Sequence, residues 1–297
     1  MPTLLTQYNF LRSYANSSQL EHLTNDERFQ LLQRIISSGQ SESSWRAILE
    51  LFASWPDSVE KSHALEHADE QLSTWDDSLR TVNSAWIYLY ENSHLSSVAV
   101  IVRLININRR EQYGNKELKA ITTSPFVASL KGLTIYKSEI HSDGINALVN
   151  SSYLQHLESL SIDGVTLQEN GFELLCNAQN LPMLKNLQLK NVGINGTRLK
   201  VLAKSNLVQH VTNLDLSYNS IDGESVNDLN QLLVRNEFNS LNLEGNFMQL
   251  NGALNLVKTI PRNSLRELNL ARNEIMNSGR EELRTLSLEM GIKLIVD

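Results

Sequence analysis

The chain has 297 residues, 41% of them hydrophobic and 20% charged, enough for one large or two modest domains with a buried core. Its formal net charge of −7 resides in residues 1–95, which hold 13 acidic and six basic side chains; the other 20 acids and 20 bases cancel. Without a basic field, nucleic acid and anionic membrane surfaces are excluded as partners, and the single cysteine, Cys176, excludes an intramolecular disulfide and points to a reducing cytoplasm.

Met1 to Gln19 contain Arg12 and scattered polar residues but no continuous apolar stretch, so neither a secretory signal nor a transmembrane segment is expected. Thr24-Asn25-Asp26-Glu27 is a capping box and predicts a helix through Leu31, Leu32, Ile35 and Ile36, stopped at Gly39. Ser43 or Ser44 caps a second helix carrying Trp45, Ile48, Leu49 and Phe52 and ended by Pro56. A third helical pattern runs from about Val59 to Leu72, and a fourth carries Leu79, Val82, Trp86 and Leu89. All four tryptophans (Trp45, Trp55, Trp75, Trp86) fall in this stretch. The expectation is an all-α N-terminal domain, residues 1–100, that covers the open end of the structure following it.

From Val102 onward the chain repeats itself. The pattern L-x-x-L-x-L-x-x-N-x-I fits from residues 130, 157, 184, 211, 238 and 265, a constant step of 27. A degenerate copy, Val102-Ile105-Ile107, precedes the series, and Ile292 with Ile295 continues it. Eighteen residues after each start stands a leucine: Leu148, Leu175, Leu202, Leu229, Leu256 and Leu283. Fourteen residues after the start, glycine recurs at Gly144, Gly171, Gly252 and Gly279, and it is read as preceding a helix. The L-x-L core is a period-two strand with its apolar side inward. At the ninth position Asn219, Asn246 and Asn273 can satisfy backbone groups where the chain leaves the strand, whereas Arg110, Ser138, Val165 and Val192 break that column. The final segment, Lys293 to Asp297, leaves an apolar edge strand, covered by a partner or a second copy, or tolerated because Lys293 and Asp297 flank it.

These residues resemble leucine-rich-repeat proteins, and the 27-residue step is similar to the ribonuclease-inhibitor-like class. The resemblance implies an α/β solenoid over residues 101–297, with parallel strands on the concave face and helices on the convex face. It also implies a non-enzymatic, protein-binding role, in which the horseshoe covers and inhibits a partner enzyme. The compact chain further resembles bacterial leucine-rich-repeat effectors, which implies delivery into a host cytosol without a cleaved signal peptide, against a host protein or another effector. As an alternative, Leu23 to Ile36 resembles an F-box helix, with Thr24 in place of the usual proline, and implies a substrate adaptor of a ubiquitin ligase.

Nucleotide-binding loops, nucleophile elbows and zinc-protease motifs are missing, so no catalysis, cofactor or small-molecule substrate is expected. His63 and His67, beside Glu66, Asp69 and Glu70, have a spacing that can ligate a metal for hydrolysis, but a solvated helix face is the simpler reading. Cys176 reads as a small buried hydrophobe. The residues between the repeat leucines face the concave side: Asn106, Thr134, Ser161, Gln188, Asp215, Asn242 and Asn269 at the fifth position, and Arg109 to Arg272 at the eighth. They are polar and of mixed sign, which suits a folded protein surface. Tyr136, Asp163, Lys190, Asp215, Tyr218, Glu244 and Arg272 are the expected partner-binding residues, since tyrosine and arginine dominate interface hot spots.

Overall fold

The computed structural model describes residues 20–89, 94–108, 113–261 and 264–297. Met1 to Gln19, Arg109 and Arg110 lie outside the described residues. Among the elements given in full by the described residues, three helices come first: α1 (Asn25–Ser37), α2 (Glu42–Ser54) and α3 (Val59–Gln71). The expected capping box closes α1, with the Glu27 backbone N–H donating to Thr24 Oγ1 and the Thr24 N–H donating to Glu27 Oε2. The cap of α2 is Ser41 rather than Ser43 or Ser44, because the Ser41 hydroxyl accepts the Ser44 N–H at 3.1 Å. Leu32, Ile48, Phe52, Ala64 and Leu72 are buried where the three helices meet.

No fourth helix forms over Leu79–Leu89. That segment holds strand β1 (Thr81–Asn83), a 3-10 turn at Ser84–Trp86 and strand β2 (Tyr88–Leu89), which pairs antiparallel with β3 (His94–Leu95). Val82 has the apolar character a helix face needs, but it is buried as the core residue of a strand paired with β4 (Leu104–Ile107). The sheet thus begins inside the span expected to be all helical. A short-range 3.6-residue pattern of four apolar residues could not distinguish these outcomes.

Seven more repeat units follow in chain order. They are α4 (Tyr113–Thr123), β5 (Gly132–Tyr136), α5 (Ser142–Val149), β6 (Ser159–Asp163), α6 (Glu169–Cys176), β7 (Asn186–Lys190) and α7 (Gly196–Leu202). Then come β8 (Asn213–Asp215), α8 (Val226–Arg235), β9 (Phe238–Asn242), α9 (Gln249–Thr259), β10 (Leu265–Asn269), α10 (Asn277–Glu289) and β11 (Lys293–Ile295). Among the described residues β1 and β4 to β11 form one nine-stranded parallel sheet, each strand beside the next in the chain. From β5 to β10 the register advances by one repeat without slippage: Leu133 lies against Leu160, Leu160 against Leu187, Leu187 against Leu214, Leu214 against Leu241, and Leu241 against Leu268. The chain is therefore an α/β leucine-rich-repeat solenoid, with strands forming one face and helices the other. All six leucines of the helical column are fully buried against the strand layer, each contributing on the order of 1.5–3 kcal/mol.

The step departs from 27 at both ends: Ile105 pairs with Leu133, a spacing of 28, and Val82 with Ile105, a spacing of 23. Leu294, not Ile295, lies in register with Leu268, a spacing of 26, and Ile295 is left exposed on the outward face. The recurring glycines sit in the first helical turn rather than before it. Gly252 shows why the position is small: a Cβ there would stand 2.5 Å from the Gly223 Cα of the preceding repeat.

Asn219, Asn246 and Asn273 tie successive repeats together from within. Asn219 Oδ1 accepts the N–H groups of Val192 (3.1 Å) and Ile194 (3.0 Å), and its Nδ2 donates to the carbonyls of Leu189 and Leu216. Asn246 and Asn273 repeat this one and two turns on, accepting from Ile221 and Met248. At the other end, Asp69 of α3 accepts from two guanidiniums, Arg80 beside β1 and Arg103 before β4. Arg80 also donates to the carbonyls of Ile101 and Leu72. These bonds fasten the helices to the first strands.

Candidate functional site

In a repeat strand the fourth and sixth side chains enter the core and the fifth and seventh leave the sheet on the other side. That outward face carries a groove of about 400 Å³ running across β6 to β10. Its floor is a lattice of hydroxyls and amides from the third and fifth positions. Along the fifth column Ser161 Oγ donates to Gln188 Oε1, and Gln188 Nε2 donates to Asp215 Oδ2 at 3.0 Å. Along the third, Ser240 Oγ donates to Asn213 Oδ1 (3.0 Å) and Asn213 Nδ2 to Asn186 Oδ1 (2.7 Å).

A second set, at the seventh and eighth positions, forms a connected rim. Lys190 Nζ lies 3.5 Å from an Asp163 carboxylate oxygen and 5.2 Å from the centre of the Tyr218 ring. The Tyr218 hydroxyl donates to Glu244 Oε1 at 2.6 Å and accepts from Arg272 Nη1 at 2.9 Å. Arg272 Nε stands 3.4 Å from the same carboxylate. Asp163, Lys190, Tyr218, Glu244 and Arg272 are thus linked across five successive repeats. Tyr136 and Asp215 stand apart from this network. Tyr136 lies beside Asp163 in the register with Lys137 Nζ over its ring at 4.9 Å, and Asp215 lies in the groove.

The backbone at the eighth position is left-handed in every described repeat: Lys137, Gly164, Asn191, Tyr218, Gly245 and Arg272 have φ between +45° and +65°. The chain turns here from strand to loop, and glycine or asparagine meets that need without strain. Gly245 meets a second need, because a Cβ would come within 2.9 Å of the Tyr218 ring lying over it. Tyr218 and Arg272 hold large side chains where glycine fits best, a strain of roughly 1–2 kcal/mol each. Such local strain concentrates at functional positions. Arg272→Gly is therefore expected to leave stability unchanged or raise it by up to ~1 kcal/mol, since Arg272 is 65% exposed and its ion pair is screened. Thermal denaturation checks this; a clear loss of stability would show that the rim, not the backbone, dominates.

Hydrogen bonding to Glu244 is the main cause that raises the Tyr218 phenol above its ordinary value, with desolvation second. A raised acid is stabilised in its neutral form. Its contribution to stability is accordingly present through neutral pH and lost as pH climbs through the folded-state value. Glu244→Gln is expected to shift the phenolate absorbance titration of Tyr218 back toward the ordinary tyrosine range. An unshifted titration would contradict the bond.

Two signals for this face were present in the sequence but not in the expected residue set. The third-position amides Asn186 and Asn213 follow from the repeat alignment, and the glycines at 164 and 245 mark the left-handed column. Elsewhere, no group of three or more His, Cys, Asp or Glu among the described residues is arranged to hold a metal ion, and His67 packs its ring 5.1 Å from that of Phe29. Cys176 is buried, and burial pushes its thiol up to about 12. No helix among the described residues is long and apolar enough to cross a membrane.

No family model matches the chain, and no curated protein matches it. Solved structures do. An internalin from Listeria monocytogenes is 20% identical with a TM-score of 0.41, over 68% of this chain and 49% of the internalin, so this chain spans about half that protein's length. A Bacteroides fragilis protein is 12% identical with a TM-score of 0.47, over 81% of this chain and 84% of that one. A chain from the yeast Rad7–Elc1 complex is 12% identical with a TM-score of 0.41, over 95% and 85%. These likenesses are distant, and the repeat fold rests on the register of the chain's own sheet.

Proposed function

We propose that the chain is a protein-binding module whose outward sheet face, from Tyr136 to Arg272, seats a folded partner. The observation that carries this is the rim of Asp163, Lys190, Tyr218, Glu244 and Arg272, joined across five repeats and fixed before any partner arrives. Side chains held in place lose less entropy on binding, and tyrosine with arginine at the centre of a patch is the usual composition of a hot spot. Carboxylates alternating with cations suit a protein surface better than a polyanion.

In the finer form of this reading the partner is an enzyme, inhibited because the solenoid covers it. Action inside a host cytosol, as an effector without a cleaved signal peptide, belongs to the same form. Residues 1–100 are proposed to cap the solenoid, through the Asp69 pair and the Trp45 indole, whose N–H donates to the Thr81 carbonyl at 2.9 Å. The segment resembling an F-box helix is occupied by its capping box and by packing of Leu31, Leu32 and Ile35, so no observation favours the adaptor reading.

The test is capture on immobilised wild-type chain beside the Tyr136→Ala, Tyr218→Ala double variant, followed by assay of the captured protein's activity with and without this chain. A partner lost by the folded double variant and slowed by the wild type supports the reading. One retained by both removes it.

A further inference from the structure

At the fifth position of β8, β9 and β10 the turn that ends the strand takes a side-chain oxygen. Asn242 Oδ1 accepts the Glu244 N–H and Asn269 Oδ1 accepts the Ala271 N–H, each at 3.0 Å. Asp215 makes the same bond to the Ser217 N–H at 2.8 Å. An asparagine would serve there as it does in the next two repeats, so the negative charge of Asp215 is one that the turn does not require. That charge sits on β8, the middle of the five strands lining the groove.

Among the described residues no lysine, arginine or histidine neutralises it. Its second oxygen accepts from Gln188 Nε2, a neutral amide. Lys190 is engaged by Asp163 and the Tyr218 ring, and Arg272 by Glu244. Glu267, the other acid on the floor, is already paired with Lys293 at 2.7 Å. The remaining floor groups, such as Ser161, Asn186, Gln188 and Asn213, are uncharged and able to donate and accept. A half-buried carboxylate without a cation, set in a lattice of amides, is complementary to an extended peptide bearing one basic side chain.

We propose that the groove takes an extended segment of the protein partner and that Asp215 pairs with a lysine or arginine of that segment. This rests on the sheet-face reading and adds its specificity: the rim holds the partner, and Asp215 selects a cation within it. Asp215→Asn is expected to fold normally, because the new amide oxygen would keep the bond to the Ser217 N–H and Gln188 can turn its amide to match.

The test uses random peptides displayed on phage and selected on the full chain. The best peptide is measured by fluorescence anisotropy, beside forms in which its lysine is norleucine or its arginine is citrulline. The expected result is that removing the positive charge weakens binding to the wild type by roughly tenfold or more. Binding to Asp215→Asn starts at that weakened level and does not change with the peptide's charge. A library that yields no binder, binders without a basic residue, or discrimination that survives in Asp215→Asn would overturn the proposal. The captured partner separates this failure from that of the broader reading. If it is lost with Tyr218→Ala yet held at full strength by Asp215→Asn, the sheet face stands and the cation site falls. If both variants hold it, both fall.

Discussion

Asp69→Ala is expected to lower the free energy of unfolding by about 3–5 kcal/mol. One carboxylate serves two guanidiniums here, and one of them, Arg80, has a side chain only 1% exposed. Burial and the neighbouring Arg103 both act to lower the Arg80 pKa, and Asp69, with a smaller contribution from Asp77, partly offsets them. Deleting the acid leaves a buried cation and a second one beside it without their hydrogen-bonded counter-charge, with Asp77 acting on Arg80 only through space, which is the costly way to break a buried pair. The loss is expected to fall on the junction between α3 and strands β1 and β4, because Asp69 is the tie between them. Urea denaturation measures it, and Asp69→Asn, which keeps an acceptor, is expected to lose less. A loss below about 1 kcal/mol would mean the pair behaves as an exposed one.

Asn219→Ala is the second large effect, about 3–4 kcal/mol. The amide is buried and serves two N–H groups of the preceding repeat and carbonyls on both sides of the turn. Alanine fills none of these roles, and each unpaired buried group costs about 1–3 kcal/mol, reduced where water enters. Because repeat solenoids are stabilised by their neighbour contacts, the break is also expected to lower cooperativity, with the units after Asn219 separating from those before it. Hydrogen exchange of the Val192 and Ile194 amides reads this directly. Slow exchange retained at both positions in the variant would contradict it.

Most of the fold is legible in the sequence because its signals repeat. A leucine column met six times at one spacing leaves little freedom, and the strands, register and buried leucines from β5 to β10 follow from it. Single-copy signals are weaker. Val82 fits a helix as well as a strand because four apolar residues in one short window suit either period. Ile295 fits the core only if the step is carried one repeat too far, where Leu294 instead meets Leu268. Of the seven expected site residues, five form one network, a result of the shared columns at the seventh and eighth positions. What the alignment does not supply is conformation: the left-handed backbone at Tyr218 and Arg272 depends on how the strand ends, and its trace in the sequence is glycine at 164 and 245 and asparagine at 191. The contrast between Asp215 and the asparagines that follow it becomes meaningful only once all three are seen making the same bond.

The most direct measurement of sheet-face binding is the affinity of the captured partner, by titration calorimetry, for three folded forms. These are the wild type, the Tyr136→Ala, Tyr218→Ala double variant and Trp86→Ala, which alters an indole 54% exposed in the turn between β1 and β2. The expected result is a loss of roughly a hundredfold or more for the double variant and little change for Trp86→Ala. Full affinity in the double variant with loss in Trp86→Ala would place the binding surface at the N-terminal end of the chain, around the turn at Ser84–Trp86, instead.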